Sequence, residues 1–359
     1  MKGNADISKN NLDCLRLILA SIVVLFHLNA LTLLPAFYFL GKYCSPHFAV
    51  KSFFVISGLL IYRSYTRSSS VRSYFDKRIR RIYPAYFTTI VISALALCLL
   101  SNQSLSHYFG LGFWKYLGAN LLFLNFLAPT LPGVFTSNNL TPVNGALWTL
   151  KIEVVFYLFV PFLHYLCKRF GTEKTVGAIF VLSSIWKYGF EWLASTHSSH
   201  GLFTLDSSRN LYSQLSVQFP AQLVYFSAGL LVLLYLDWLK RHCWSILAIT
   251  VCLYLVDHVF TGELLDVFWI SGVVFLFGFW RYFGNFSKYG DFSYGTYIVH
   301  WPIYQTLIAL GVATLNPAVF FVTSISLIAV TSILMWHLVE SRFLASSNHY
   351  RQESKKAAA

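Results

Sequence analysis

Arg16 and His27 stand eleven residues apart in one long apolar run, LDCLRLILASIVVLFH. At about 100° per residue that is close to three helical turns, so both side chains leave the same helix face, roughly 16 Å apart. Ionisable groups within a bilayer are costly and face a protein interior or a water-filled cavity. Imidazole, with an ordinary pKa of about 6.5, takes and returns a proton near neutrality. His27 is therefore suited to activating a hydroxyl or to accepting an acyl group itself. Asp13 lies three residues before Arg16 and is placed to pair with it. The same residues also fit a plainer use, with Asp13 and Arg16 as an interfacial anchor and His27 as a polar contact between helices.

A second set of candidates is basic. Arg63, Arg67, Arg72, Lys77, Arg78, Arg80 and Arg81 fill a short interval between two membrane-length apolar runs. Arg78 and Arg81 have helical spacing, and guanidinium groups bind phosphate with charge-assisted, often bidentate hydrogen bonds. The pair is suited to holding a phosphorylated cytosolic molecule at the inner membrane face. Glu153, in LWTLKIEVVFY, is a carboxylate within a span and needs a proton or a cation; Lys151, an arginine or a histidine could serve. His300, in SYGTYIVHWPIY, reads as a structural hydrogen-bond partner. Glu340 closes the last apolar run, where Arg342 or the basic interval could pair with it.

Other motifs are weaker. Ser57–Gly58 in FFVISGLL lacks the GxSxG flanks of a nucleophile elbow and suits close helix packing. No GxxxxGK[ST], GxGxxG or HExxH occurs, so ATP use, dinucleotide binding and zinc proteolysis have no support. The six cysteines show no CxxC or His-linked metal spacing and read as small packing residues.

The elements that must position these groups are membrane helices. Apolar residues make up 56% of the chain and charged residues 11%, about half the share in a soluble domain. The mean hydropathy of +0.58 excludes a water-soluble globule with a polar surface. The net charge of +13 lies mainly in loops and tails, which argues for anchoring against anionic lipid and against a nucleic-acid partner. Apolar runs of about 20 residues fall near 12–34, 47–65, 82–101, 146–167, 175–194, 219–239, 243–260, 264–283, 293–313 and 317–339. The expected fold is all-α and polytopic, with about ten transmembrane helices. It forms one membrane domain, 1–345, followed by a polar tail, 346–359. The first run reads as a retained signal anchor.

Lys and Arg concentrate in cytoplasmic loops. With the 63–81 interval inside, Lys168, Arg169 and Lys174 also fall inside, as do Lys240, Arg241 and His242, then Arg281 and Lys288. Both termini are then cytoplasmic. Residues 113–128 would invert the later loops if they spanned, so they read as a re-entrant or interfacial outer segment. The Pro- and Asn-rich stretch 129–145 is then a candidate lid on the same face.

Taken together, the segments resemble the acyltransferase-3 family of bacterial integral membrane carbohydrate O-acyltransferases. The resemblance rests on LDCLRLILASIVVLFH, FFVISGLLIY, RIRRIYP, ALWTLKIEVVFY, SYGTYIVHWPIY and HLVESRF, in the family's order and from near the N-terminus to the last run. It implies about ten membrane helices in the bacterial cytoplasmic (inner) membrane. It also implies transfer of an acyl group, usually acetyl, from cytosolic acetyl-CoA or another acyl-CoA to a carbohydrate hydroxyl on the outer face. The position of His27 toward the outer end of its helix makes a lipid-linked glycan or surface polysaccharide the expected acceptor, and the chemistry needs no metal. On this resemblance His27 is the candidate catalytic residue, Arg16 and Glu153 belong to the catalytic set, and Arg78 and Arg81 bind the donor. Trp148 and Glu340 fall on recurrent family positions. Two positions depart from the pattern: Lys51 stands where many members have Asp, and Arg342 where many have Pro.

A transporter or flippase that uses Arg16, His27, Glu153 and His300 as a relay is the competing reading, since intramembrane charges serve transport equally well. The two halves show no internal repeat, which weighs against it.

Overall fold

In the computed structural model, residue 7 and residues 9–196 and 211–344 are described. The polar tail and much of the 195–218 connection lie outside the described residues. Helices account for nearly all regular structure, and no strand occurs among the described residues. The principal helices are α1 (Leu12–Thr32), α2 (Pro46–Thr66), α3 (Val71–Ala96), α4 (Leu111–Leu121), α5 (Trp148–Phe170), α6 (Thr172–Thr196), α7 (Phe219–Leu234), α8 (Cys243–Val256), α9 (Asp266–Phe275), α10 (Ser293–Ala309) and α11 (Pro317–Met335).

The chain is thus an all-α polytopic membrane protein. Seven segments among the described residues are long and apolar enough to span: Leu12–Thr32, Pro35–Thr66, Val71–Leu100, Gly145–Phe170, Leu211–Leu234, Cys243–Phe260 and Pro317–Phe343. Each answers one of the ten expected runs. The other three runs, at 175–194, 264–283 and 293–313, are also helical, as Thr172–Thr196, the shorter apolar helix Asp266–Trp280, and Ser293–Ala309. α4 is only 11 residues long, about 16 Å at 1.5 Å per residue, or half of a hydrocarbon core of about 30 Å. Its length suits the expected re-entrant or interfacial segment.

The chain divides into two compact units. One comprises Met1–Leu15, Val50–Tyr74 and Ile152–Asn285; the other comprises Arg16–Ala49, Phe75–Lys151 and Phe286–Ala359.

In the first unit, α2 and α7 approach through glycine. A Cβ on Gly58 would collide with the carbonyl of Phe226, and one on Gly229 with that of Val55. The Ser57–Gly58 step is therefore a close helix contact, as its composition suggests. Pro161 inside α5 cannot donate a backbone hydrogen bond, which leaves the carbonyl four residues earlier without its usual partner. That carbonyl belongs to Tyr157 and accepts the Tyr74 hydroxyl at 3.2 Å. Lys51, the departure noted above, is answered by carboxylates: its Nζ lies 2.6 Å from Asp266 and 2.7 Å from Glu263.

The second unit packs α10 against α11 and carries most of the candidate residues. Tyr304 on α10 donates its hydroxyl to the Val24 carbonyl of α1 at 3.2 Å. Tyr294 donates to the Ile82 carbonyl of α3 at 3.0 Å. These contacts bind α10 to both helices that bear the arginines.

Candidate active site

The second unit brings together two residues that the sequence places 273 positions apart. His27 Nδ1 lies 2.9 Å from His300 Nε2. The two ring planes are nearly parallel, 9° apart, with centroids 5.1 Å apart, and Trp301 meets His27 edge-on at 4.8 Å. His300 is fully buried, and its Nδ1 lies 2.6 Å from the Tyr297 carbonyl.

This chain of contacts fixes where the protons sit. A carbonyl only accepts, so His300 Nδ1 carries hydrogen and donates it to Tyr297. In neutral His300, Nε2 then has only a lone pair, so His27 Nδ1 is the donor between the rings. In the neutral His27 ring, Nε2 is left as an unprotonated acceptor. The orienting partner of His27 is thus another histidine, itself oriented by a backbone carbonyl. The sequence reading assigned His300 a structural hydrogen bond. The bond exists, and its partner is the candidate catalytic residue.

α10 is held rigidly around this contact. Pro302 removes the hydrogen bond that the Ile298 carbonyl would otherwise accept. Asn144 Nδ2 supplies a replacement at 2.8 Å. Asn138 Nδ2 donates to Gln305 Oε1 at 2.8 Å, Gln305 Nε2 donates to the Leu140 and Pro142 carbonyls, and Trp301 Nε1 donates to Pro142. Asn139 donates to the Leu31 carbonyl near the end of α1. The 129–145 stretch, read as a candidate lid, is stitched to the helix that carries His300. Gly145 is required here, since a Cβ would enter the Trp301 ring.

Arg16 lies on α1, eleven residues below His27, so the expected separation of about 16 Å holds along a continuous helix. Its Nη1 reaches Asp291 Oδ2 at 2.5 Å. Arg81 also binds Asp291 through Nη2, and its Nη1 lies 3.3 Å from Glu340 Oε2. Asp291 also accepts from the Ser293 hydroxyl at 2.5 Å and the Ser293 amide at 3.1 Å. Burial raises the affinity of the Asp291 carboxyl for its proton. Arg16, Arg81 and the Ser293 contacts more than reverse that, holding it well below the usual carboxylate range. Glu340 sits in a π-helical turn, Trp336–Glu340, and is almost fully buried. Its pairing with the basic interval was expected. Asp291, the hub of the cluster, was not.

Two expectations meet a different setting. Arg81 directs its guanidinium to two carboxylates, with the side chain 13% exposed, so a phosphate bound there would share it with Asp291 and Glu340. Glu153 accepts the Tyr157 hydroxyl at 2.6 Å, one turn along its own helix. Among the described residues it makes no ion pair with Lys151, an arginine or a histidine. It also falls in the first unit, whereas His27 falls in the second.

Fold and site define a polytopic all-α membrane protein with an oriented, unprotonated imidazole nitrogen on one helix. The family model described as an acyltransferase domain matches residues 9–337, and the chain belongs to that acyltransferase-3 family. It is an O-acyltransferase. It is 29% identical over 329 residues to nodulation protein 10 of Rhizobium leguminosarum bv. viciae, covering 84% of this chain and 85% of the relative. The O-acetyl transferase of Shigella phage Sf6 is 26% identical over 358 residues, 94% of this chain and 97% of the relative. The O-acetyltransferase OatA of Staphylococcus aureus (strain NCTC 8325 / PS 47) is 27% identical over 191 residues, 48% of this chain and 28% of the relative. No solved structure matches.

Proposed function

We propose that the protein transfers an acetyl group from cytosolic acetyl-CoA to a hydroxyl of an extracytoplasmic carbohydrate, a lipid-linked glycan or surface polysaccharide, from the bacterial cytoplasmic membrane. The acetyl group follows the names of two relatives. The observation that carries the chemistry is the His27–His300–Tyr297 chain, which leaves His27 Nε2 as a base.

In this reading His27 Nε2 removes the proton from the acceptor hydroxyl as its oxygen attacks the thioester carbonyl. A C–O bond forms, the C–S bond breaks, and the departing thiolate takes the proton back from Nε2. His300 keeps Nδ1 of His27 protonated and the ring fixed while its other nitrogen works. Arg78 binds donor phosphate. Arg81 contributes to the donor site while fastening α3 to Asp291 and Glu340, and Arg16 holds α1 to the same hub. Glu153 holds the Tyr157 hydroxyl within its own helix.

His27 supports transfer across the membrane by its depth. In α1, 15 residues precede it and five follow, so donor anchoring and chemistry occur at different levels. The test is an assay in sealed vesicles with acetyl-CoA on the cytoplasmic side and acceptor confined to the other. Acetylated acceptor is expected. Product formed only when both substrates share a side would reject transmembrane transfer.

A further inference from the structure

In the first unit, three helix ends meet around a cavity of about 520 Å³, within the roughly 300–1,000 Å³ of small-molecule sites. Its wall includes Lys9, Lys240, Arg241, Trp244, Trp280 and Tyr282. No carboxylate is among its described lining residues. The 240–245 stretch joins two membrane-length segments, one ending at Leu234 and the next beginning at Cys243, and Trp280 ends the apolar helix Asp266–Trp280. The cavity therefore lies where chain leaves the hydrocarbon, on the side that the Lys and Arg count assigns to the cytoplasm.

Local contacts shape it for an anion beside lipid. Lys240 Nζ lies 5.6 Å from the Phe279 ring centroid, which draws its aliphatic stem along the apolar wall. The Arg241 Nε donates to the Asp237 carbonyl at 3.2 Å, which anchors one edge of its guanidinium. Trp244 and Trp280 meet edge to face at 4.9 Å. Tryptophan rings favour the headgroup level of a bilayer. Nothing in the acyl-transfer chemistry uses these residues.

We propose that this cavity binds the phosphate of an anionic phospholipid headgroup, with Lys240 and Arg241 on the phosphate and the two tryptophans against the glycerol and upper acyl region. A phosphate could also arrive on coenzyme A. The paired indoles at the end of apolar helices favour the lipid source, and the experiment separates the two.

The full-length protein, purified in detergent, is exchanged against phosphatidylglycerol or phosphatidylcholine, and retained lipid is counted by native mass spectrometry. Coenzyme A is added in a parallel arm. Preferential retention of phosphatidylglycerol is expected, falling at least about tenfold in the Lys240→Gln/Arg241→Gln double variant and unchanged by coenzyme A. Trp244→Ala is the second variant, expected to weaken retention without removing the charges. Equal retention of both lipids, or full retention by the folded double variant, would overturn the proposal. So would displacement of the lipid by coenzyme A, which would give the pocket to the donor. Acyl transfer at saturating donor is expected to persist in both variants.

Discussion

Arg16 Nη1 and Asp291 Oδ2 stand 2.5 Å apart although 275 residues separate them in the chain. The same carboxylate also takes Arg81. One acidic residue therefore ties the helix bearing His27 to the helix bearing the candidate donor arginines, just before α10 begins.

Replacing Asp291 by Asn should leave two guanidinium groups without their shared counter-charge. Breaking a buried pair costs about 3–5 kcal/mol. With Arg16 20% and Arg81 13% exposed, partial screening lowers that to about 2–4 kcal/mol. Thermal unfolding in detergent measures it. The folded-state pKa of Asp291 is depressed, so its stabilisation is present above the ordinary carboxylate value of about 3.9 and is lost as pH falls through the folded value. The gap between wild type and Asp291→Asn should therefore hold from pH 8 to 5 and narrow below about pH 4. A gap that closes already between pH 8 and 6 would point to a different titrating group.

His300→Ala should lower kcat about 10- to 100-fold with little change in acceptor KM, because a mispositioned base loses part of the 10²–10⁴-fold that proton transfer contributes. His300→Gln offers a carbonyl to His27 Nδ1 and should recover part of the loss. A packing role alone would not favour Gln over Ala in kcat while both variants unfold at the same temperature.

Arg78→Ala should raise the KM for acetyl-CoA roughly 10- to 100-fold, the loss of one charge-assisted contact of about 1.5–3 kcal/mol. Arg81→Ala should do so as well and also lower thermal stability, since it releases Asp291 and Glu340. Unchanged donor KM in both variants would move the phosphate site elsewhere in the basic interval.

How much of this was legible follows from range. The helices were, because each apolar run carries its own signal. So was the Arg16–His27 spacing, which depends on a single helix. Close packing at Gly58 was readable from residue size, though its partner Phe226 was not. Asp291 escaped because it lies in a short polar connection, KYGDF, where the local basic neighbour is Lys288, while the arginines it binds, Arg16 and Arg81, lie more than 200 residues upstream. His300 was noticed, yet its role depends on a ring 273 residues away. Lys51 broke the family pattern, and its carboxylates, Glu263 and Asp266, lie more than 200 residues downstream. What local pattern cannot convey is which helices meet.

Topology has a direct probe. In a variant lacking the native cysteines, Ser70→Cys should label only from the cytoplasm and Ser137→Cys only from outside. Phe170→Cys should label from the cytoplasm. External labelling at position 170 would mean that residues 113–128 span, against the 11-residue length of α4.

The central claim is that His27 performs the proton transfer. The measurement is the initial rate of acetyl transfer by purified His27→Ala, with folding verified by its thermal transition and retained donor binding. A fall of at least about 10²-fold is predicted, the lower end of what a positioned base supplies. A folded His27→Ala protein that keeps more than about a tenth of wild-type activity, a loss far smaller than a positioned base supplies, would contradict the account.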